Sequence, residues 1–87
     1  MVKNTLSDRL NYLTTLAEEQ SITRAAARLF ISQPALTAFL NRTEEELGAR
    51  LFDRSTTPIR ITEAGAYYLS ELEKICVMQD RLHQELS

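Results

Sequence analysis

The chain has 87 residues, of which 44% are hydrophobic and 25% are charged, so it is long enough for one small globular domain. One cysteine and one histidine exclude a disulfide framework and a structural zinc site, and no apolar run approaches the roughly 20 residues that span a bilayer. Since no signal-peptide pattern opens the chain either, we expect a cytoplasmic protein that needs no metal or cofactor.

Charge is distributed unevenly along the chain, although its total is −2. Residues 21–62 carry six arginines against four acidic residues, whereas residues 1–20 and 63–87 carry net charges of −1 and −3. A basic middle segment is typical of a surface that faces a polyanion, and ordinary scatter of surface charge is the alternative.

The first two predicted helices each have one apolar side. Residues 5–19 show helical spacing, with an apolar face formed by Leu6, Leu10, Leu13, Leu16 and Ala17. The polar stretch 20–23 interrupts this pattern, and Ser21 and Thr23 within it are both candidate N-caps. A second helix is predicted over residues 24–30, with Ala25, Ala26 and Leu29 on its inner side.

A third helix is predicted to end at residue 47, after a tight break over residues 30–32. Ser32 is its expected N-cap, Pro34 fits its first turn, and Gly48 is suited to end it in the left-handed conformation. Its buried side is predicted to carry Leu36, Leu40, Thr43 and Leu47. Its exposed side carries Gln33, Pro34, Thr37, Ala38 and Asn41.

The pattern then changes to two short strands over residues 51–54 and 59–61, joined by the polar loop 55–58. Thr62 is the expected cap of a long fourth helix. The sequence therefore predicts a mainly α fold: a winged helix-turn-helix of three helices and a two-stranded β wing, followed by a long C-terminal dimerisation helix. We assign residues 1–62 to the winged domain and residues 63–87 to the linker or dimerisation helix.

The exposed side of the third helix is a candidate nucleic-acid interface, because two helices joined by about three residues suggest a helix-turn-helix. The N-terminal half of such a helix can enter a major groove about 12 Å wide. Gln33 suits bidentate contact with an adenine edge, while Thr37 and Ala38 can meet a thymine methyl group. The alternative is a solvated helix face, which the preceding helix and the following hairpin disfavour.

The wing offers a second set of candidate contacts. Thr56 and Thr57 stand at its tip, and Arg54 and Arg60 lie where they can reach phosphates or a minor groove. The alternative for Arg54, and likewise for Arg60, is an ion pair with an acidic residue: for Arg54, with Asp53 or with one of the segment 44–46.

The last helix carries a candidate dimer seam. The spacing of 4, 3, 4, 3 and 4 residues that marks an a/d seam joins Tyr68, Leu72, Ile75, Gln79, Leu82 and Leu86. Packing on the chain's own domain is the alternative, and it is expected for Tyr68 and Leu69. Cys76 and His83 flank the seam and are interpreted as packing residues rather than metal ligands.

Five motifs, in this order and spacing, resemble the N-terminal DNA-binding domain of LysR-type transcriptional regulators. They read SITRAA (21–26), SQPALT (32–37), EEELG (44–48), LFDR (51–54) and ITEAG (61–65). The resemblance implies a winged helix-turn-helix, a linker helix that dimerises in antiparallel packing, and a further C-terminal domain that binds a small-molecule effector. It also implies that Ser32, Gln33, Pro34 and Thr37 face the groove, that Thr23 lies near a phosphate, and that Arg54 and the 56–60 wing follow the DNA backbone.

Several residues depart from the family pattern. Ala38, Phe39 and Asn41 stand where basic or amide residues are common, and Phe39 is expected to pack on the first helix or the wing. Thr43 replaces a core leucine, so its hydroxyl needs a partner such as a carbonyl one turn back. Gln20 replaces a glycine and is expected in a left-handed conformation.

The sequence thus predicts sequence-specific binding of double-stranded DNA, at an inverted repeat, by a dimer that is the DNA-binding part of a bacterial transcription regulator without its effector domain. The predicted DNA-contacting residues are Thr23, Ser32, Gln33, Pro34, Thr37, Ala38, Asn41, Arg42, Arg54, Thr56, Thr57 and Arg60. The alternative is a winged-helix interaction or dimerisation module that does not bind DNA. An enzyme is not expected, because the sequence has no glycine-rich phosphate loop, metal cluster or nucleophile–base pair.

Overall fold

A computed structural model describes residues 5–86, which form four α helices and one two-stranded antiparallel sheet. The element bounds are α1 Leu6–Glu19, α2 Ile22–Arg28, α3 Gln33–Leu47, β1 Phe52–Asp53, β2 Arg60–Ile61 and α4 Glu63–Leu86. The predicted order of three helices, a β wing and a long final helix is therefore confirmed.

Three hydroxyl side chains begin the first three helices. Thr5, Ser21 and Ser32 each accept a hydrogen bond from the backbone N–H three residues later, at 3.1 to 3.2 Å. Of the two predicted caps for α2, Ser21 is therefore the one used. The predicted start at residue 24 was wrong, because Ser21 is extended (φ −154°, ψ 124°) and α2 begins directly after it.

Left-handed residues end the first three helical segments. Gln20 has φ 54°, as predicted, and Gly48 has φ 67° at the end of α3. Phe30 has φ 58°, which is why α2 ends at Arg28 instead of reaching the predicted residue 30. The positive φ at Phe30 reverses the chain between α2 and α3.

The core lies between α1, α2, α3 and the first half of α4. Its fully buried leucines include Leu13, Leu16, Leu36 and Leu40. The prediction for Leu47 was wrong: it is on the expected side of α3 but in the last turn, beyond the final buried residue of the helix, and is 39% exposed.

Two of the residues that depart from the family pattern complete the buried side of α3. Phe39 packs edge-on against Tyr12 of α1, with ring centroids 5.0 Å apart. Of the two predicted partners, the first helix and the wing, this contact confirms the first helix. The Thr43 hydroxyl donates to the Phe39 carbonyl at 2.8 Å, as predicted.

The wing pairs Phe52 with Ile61 and Asp53 with Arg60. Each strand has two residues, fewer than predicted, because the flanking backbone groups bind elsewhere. The Leu51 N–H donates to the Glu44 carboxylate at 2.7 Å, and the Ile59 N–H donates to the Gln20 carbonyl at 3.2 Å. The wing is thereby attached to both α3 and the α1–α2 turn.

Thr62 caps α4, as predicted: its hydroxyl accepts from the Gly65 N–H at 2.9 Å and donates to the Arg50 carbonyl at 2.5 Å. Gly65 allows the first turn of α4 to approach the wing closely, because a Cβ atom there would lie 2.2 Å from the Leu51 carbonyl oxygen. The start of α4 is therefore fixed against the winged domain.

The first half of α4 belongs to the core of its own domain. Leu72 and Cys76 are buried, and the Tyr68 hydroxyl accepts from Arg9 of α1 at 3.0 Å. Leu72 was wrongly placed in the dimer seam, since it is 2% exposed within a single chain. None of the helices between residues 5 and 86 combines enough length with enough apolar character to traverse a bilayer.

Candidate nucleic-acid interface

The exposed side of α3 forms one shallow, open depression. Its lining consists of the five residues predicted for that side: Gln33, Pro34, Thr37, Ala38 and Asn41. Thr37 is half-buried and the other four are exposed. The Ser32 side chain caps the same end of the helix, and Arg42 is exposed next to Asn41. The structure thus brings the predicted groove-facing residues together.

Thr23 lies in α2 and reaches this surface through Gln33. Its hydroxyl donates to the Gln33 amide oxygen at 3.0 Å, although ten residues separate the two in sequence. The residue that was rejected as a cap is therefore joined to the first residue of α3. Nothing in the local sequence pattern indicated this contact.

Glu44 is a buried carboxylate at the junction between α3 and the wing. It is 6% exposed, and its Oε2 accepts from the backbone N–H groups of Leu51 and Phe52 at 2.7 and 3.2 Å. Its Oε1 pairs with Arg50 at 3.3 Å and with Arg54. Four donors satisfy this carboxylate, which is how a charge is accommodated inside a small domain.

Glu44 was predicted as one alternative partner for Arg54, but its burial and its backbone contacts were not predicted. The available signal was the helical register, which places Glu44 one turn after Leu40, a core residue. The ion pair between Arg54 and Glu44 confirms the alternative stated for that arginine. Arg54 also donates to the Asn41 amide oxygen at 2.7 Å, so its guanidinium joins the wing to the exposed side of α3.

The tip of the wing is exposed. Thr56 and Thr57 are both accessible, and the Thr56 hydroxyl donates to the Pro58 carbonyl at 3.1 Å. The hydroxyl and backbone N–H of Ser55 donate to the Asp53 carboxylate at 2.6 and 2.9 Å and lower its pKa. Arg60, opposite Asp53 in the sheet, lowers that pKa further by charge attraction, but it forms no ion pair within residues 5–86.

Most of the arginines are paired with acidic residues. Arg28 contacts Glu18 and Glu19 at 2.7 and 3.1 Å, which raises the pKa of Arg28, and Arg9 contacts Glu46 at 2.9 Å. In the described part of the chain, the basic side chains without an ion pair are Arg42, Arg60 and Arg81. Two of these, Arg42 and Arg60, belong to the predicted DNA-contacting set.

The second half of α4 exposes an apolar stripe, formed by Ile75, Met78, Leu82 and Leu86. Gln79, Arg81 and Glu85 flank this stripe. Together with Ile75, Met78 and Leu82, these three residues line one depression. The predicted seam is therefore exposed from Ile75 onward. Within residues 5–86, no group of three or more histidine, cysteine or acidic side chains is arranged to hold a metal ion.

The sequence of the chain is similar to those of known proteins. Residues 7–66 fit the family model described as "Bacterial regulatory helix-turn-helix protein, lysR family". The chain is 42% identical over 71 residues to the regulator BudR of Klebsiella aerogenes, covering 82% of this chain and 50% of BudR. It is 44% identical over 72 residues to the regulator PgrR of Escherichia coli K12, covering 83% of this chain and 24% of PgrR. The chain thus spans about half the length of BudR and about a quarter of the length of PgrR.

Two similar solved structures are protein–DNA complexes. The BenM_DBD/catB site 1 DNA complex has a TM-score of 0.79 at 33% identity, covering 93% of this chain and 86% of that chain. The CbnR_DBD–DNA complex has a TM-score of 0.81 at 30% identity, covering 94% of this chain and 93% of that chain.

Proposed function

Because the chain belongs to the lysR family of bacterial regulatory helix-turn-helix proteins, we propose that it binds double-stranded DNA sequence-specifically as a dimer. The observation that carries the proposal is the exposed side of α3, where Gln33, Thr37 and Asn41 line one open surface beside a capped helix N-terminus. The DNA complexes of the similar BenM and CbnR domains support it.

In this proposal, the first two turns of α3 enter the major groove. The 15 residues of α3 extend over roughly 22 Å at about 1.5 Å per residue, and its N-terminal half fits a groove about 12 Å wide. Gln33 and Thr37 present hydrogen-bonding groups to base edges, and Pro34 and Ala38 present small apolar groups to thymine methyls. Ser32, at the helix N-terminus, lies where a phosphate is favoured.

Arg42, Arg60 and the wing tip at Thr56 and Thr57 are proposed to contact the DNA backbone. Arg42 and Arg60 carry no ion pair in residues 5–86, so no acidic partner competes with a phosphate for them. Thr23 and Arg54, which the resemblance places at the backbone, are held by Gln33 and by Glu44 instead. The number of unpaired cations within residues 5–86 is therefore small, and the affinity of one copy for DNA is expected to be low.

A dimer compensates for this low affinity. We propose that the stripe of Ile75, Met78, Leu82 and Leu86 packs against the same stripe of a second copy, in the antiparallel arrangement that the family resemblance implies. Two joined copies double the phosphate contacts and make the second docking step intramolecular. A symmetric dimer then reads an inverted repeat.

The role of the whole protein follows from the same premise. We propose that it is a transcription regulator without enzymatic activity, in which residues 1–62 read DNA, residues 63–87 link and dimerise, and a further domain binds a small-molecule effector. The relatives BudR and PgrR are named as transcriptional regulators. Since the bacterial chromosome lies in the cytoplasm, this role places the chain there.

Selection of the preferred duplex from a random pool, followed by mobility-shift titration at two salt concentrations, tests the proposal. We expect tight binding to the selected duplex that weakens steeply with salt, and a loss of base preference at one position in Gln33→Ala. Ser70→Ala, an exposed and uncharged change on α4, is the matched control. A dimer that binds no duplex at low salt would refute DNA binding and support the interaction-module alternative.

The dimer is tested separately by Leu82→Asp. Leu82 is 58% exposed, so its replacement leaves the winged domain folded but places a charge in the proposed interface. We expect a monomer in sedimentation velocity, with an unchanged far-ultraviolet circular dichroism spectrum. Val77→Asp, a similarly exposed residue on another side of α4, is the control. A dimer that persists in Leu82→Asp would contradict the proposed interface.

A further inference from the structure

Two amide side chains on the exposed side of α3 have their oxygen atoms occupied by neighbouring elements. The Thr23 hydroxyl of α2 donates to Gln33 Oε1 at 3.0 Å, and the Arg54 guanidinium of the wing donates to Asn41 Oδ1 at 2.7 Å. In a planar amide, the oxygen and the N–H2 group leave the same carbon in different directions. Each N–H2 group is therefore turned away from the element that binds its oxygen.

We propose that Thr23 and Arg54 are positioning residues that orient the amides of Gln33 and Asn41, so that α3 presents hydrogen-bond donors to DNA. This inference rests on the proposed function and makes its specificity more definite. At the base pair read by Gln33, the favoured base is guanine, because its major-groove edge carries two acceptors, N7 and O6. Adenine pairs bidentately with an amide only through both the oxygen and the nitrogen.

The Thr23 contact also separates two roles that one hydroxyl cannot fill together. A threonine hydroxyl carries one proton, and a phosphate oxygen can only accept. When that proton is donated to Gln33, it is not available to a phosphate. Thr23 therefore acts on base preference through Gln33, in place of the backbone contact that the family resemblance implies.

Arg54 orients the Asn41 amide in the same way, at the other end of the exposed side of α3. Glu44 neutralises Arg54, which leaves this guanidinium to orient Asn41 and not to bind a phosphate directly. Asn41 lies eight residues after Gln33, about 12 Å along the helix axis at about 1.5 Å per residue. Since the major groove is about 12 Å wide, Asn41 reaches its edge, where phosphate oxygens accept the N–H2 donors.

The test compares wild type, Thr23→Val and Thr23→Ser on the selected duplex, on duplexes with each base pair at the Gln33 position, and on a scrambled duplex. In wild type we expect guanine to be preferred by about ten-fold. Thr23→Val keeps the side-chain shape but loses the donor, so the preference should fall to about two-fold, with binding to the scrambled duplex unchanged. Thr23→Ser restores the donor and should restore the preference.

Gln33→Glu provides a second variant that does not depend on the folding of Thr23→Val. A carboxylate has no donors, so the preferred base should change from guanine to cytosine, whose N4 group donates. An adenine preference in wild type, or an equal loss on matched and scrambled duplexes in Thr23→Val, would overturn the inference while leaving DNA binding intact. Failure of wild type to bind any duplex would instead overturn the proposed function, and this inference with it.

Discussion

Replacing Glu44 by glutamine tests how the recognition helix is joined to the wing. The two carboxylate oxygens have separate partners: Oε2 accepts from two backbone N–H groups, and Oε1 pairs with Arg50 and Arg54. A glutamine can keep its oxygen at the Oε2 position and continue to satisfy both backbone groups. Its N–H2 group then faces Arg54, which loses its acidic partner.

The expected cost can be estimated from these partners. A hydrogen bond to a charged group contributes about 1.5–3 kcal/mol, and relief of the buried carboxylate offsets part of the loss, so Glu44→Gln should destabilise the fold by about 2 kcal/mol. Glu44→Ala also leaves the buried N–H groups of Leu51 and Phe52 unpaired, at about 1–3 kcal/mol each, for a total of about 5 kcal/mol. That total is comparable to the whole stability of a domain of this size, at about 0.05–0.15 kcal/mol per residue.

Urea unfolding followed by circular dichroism measures both changes. Glu45→Gln, next in sequence and exposed, is the matched control and should lie within about 0.5 kcal/mol of wild type. Adding Arg54→Met to Glu44→Gln removes the unpaired guanidinium and should recover part of the loss. Equal costs for Glu44→Gln and Glu44→Ala would refute the assignment of separate partners to the two oxygens.

Three further substitutions test two single features of the fold and one proposed DNA contact. Gly65→Ala places a Cβ atom against the Leu51 carbonyl and should cost at least about 2 kcal/mol in urea unfolding; a neutral result would show that the first turn of α4 can move away. Ser32→Ala removes the cap of α3 and should lower the melting temperature by about 4–8 °C, corresponding to about 1 kcal/mol; an unchanged value would refute the capping role. Arg42→Ala should leave stability within about 0.5 kcal/mol but reduce the salt slope of DNA binding by about 1 per chain, and an unchanged slope would remove Arg42 from the proposed phosphate contacts.

Much of the fold could be predicted because its determinants are local. Ser32 caps α3, Gly48 ends it and Thr62 begins α4, and each depends on a hydroxyl or a conformational preference within a few residues. The contact between the Thr43 hydroxyl and the carbonyl one turn earlier follows from the same short range. The exposed side of α3 was likewise given by helical periodicity alone.

Apart from the bounds of α2, the errors arise where distant parts of the chain meet. Periodicity placed Leu47 inside, but its side chain is 39% exposed at the end of α3. A charged residue of the same turn, Glu44, is buried because the wing supplies its donors. Leu72 fits a dimer seam by spacing, yet it packs within its own domain. The hydrogen bond between Thr23 and Gln33 depends on how two helices cross, which sequence spacing does not reveal.

The anchoring of α4 bears on the geometry of the operator. The direction in which this helix leaves the winged domain is fixed by Thr62, Gly65, Leu72 and Cys76. Two paired copies would therefore hold their α3 helices at a set separation and rotation. B-DNA turns once in about 10.5 base pairs, so five base pairs inserted between half-sites would carry one of them to the far side of the duplex. A dimer held rigidly at residue 62 would not follow that rotation, so the proposed dimer would also recognise the phasing of the half-sites.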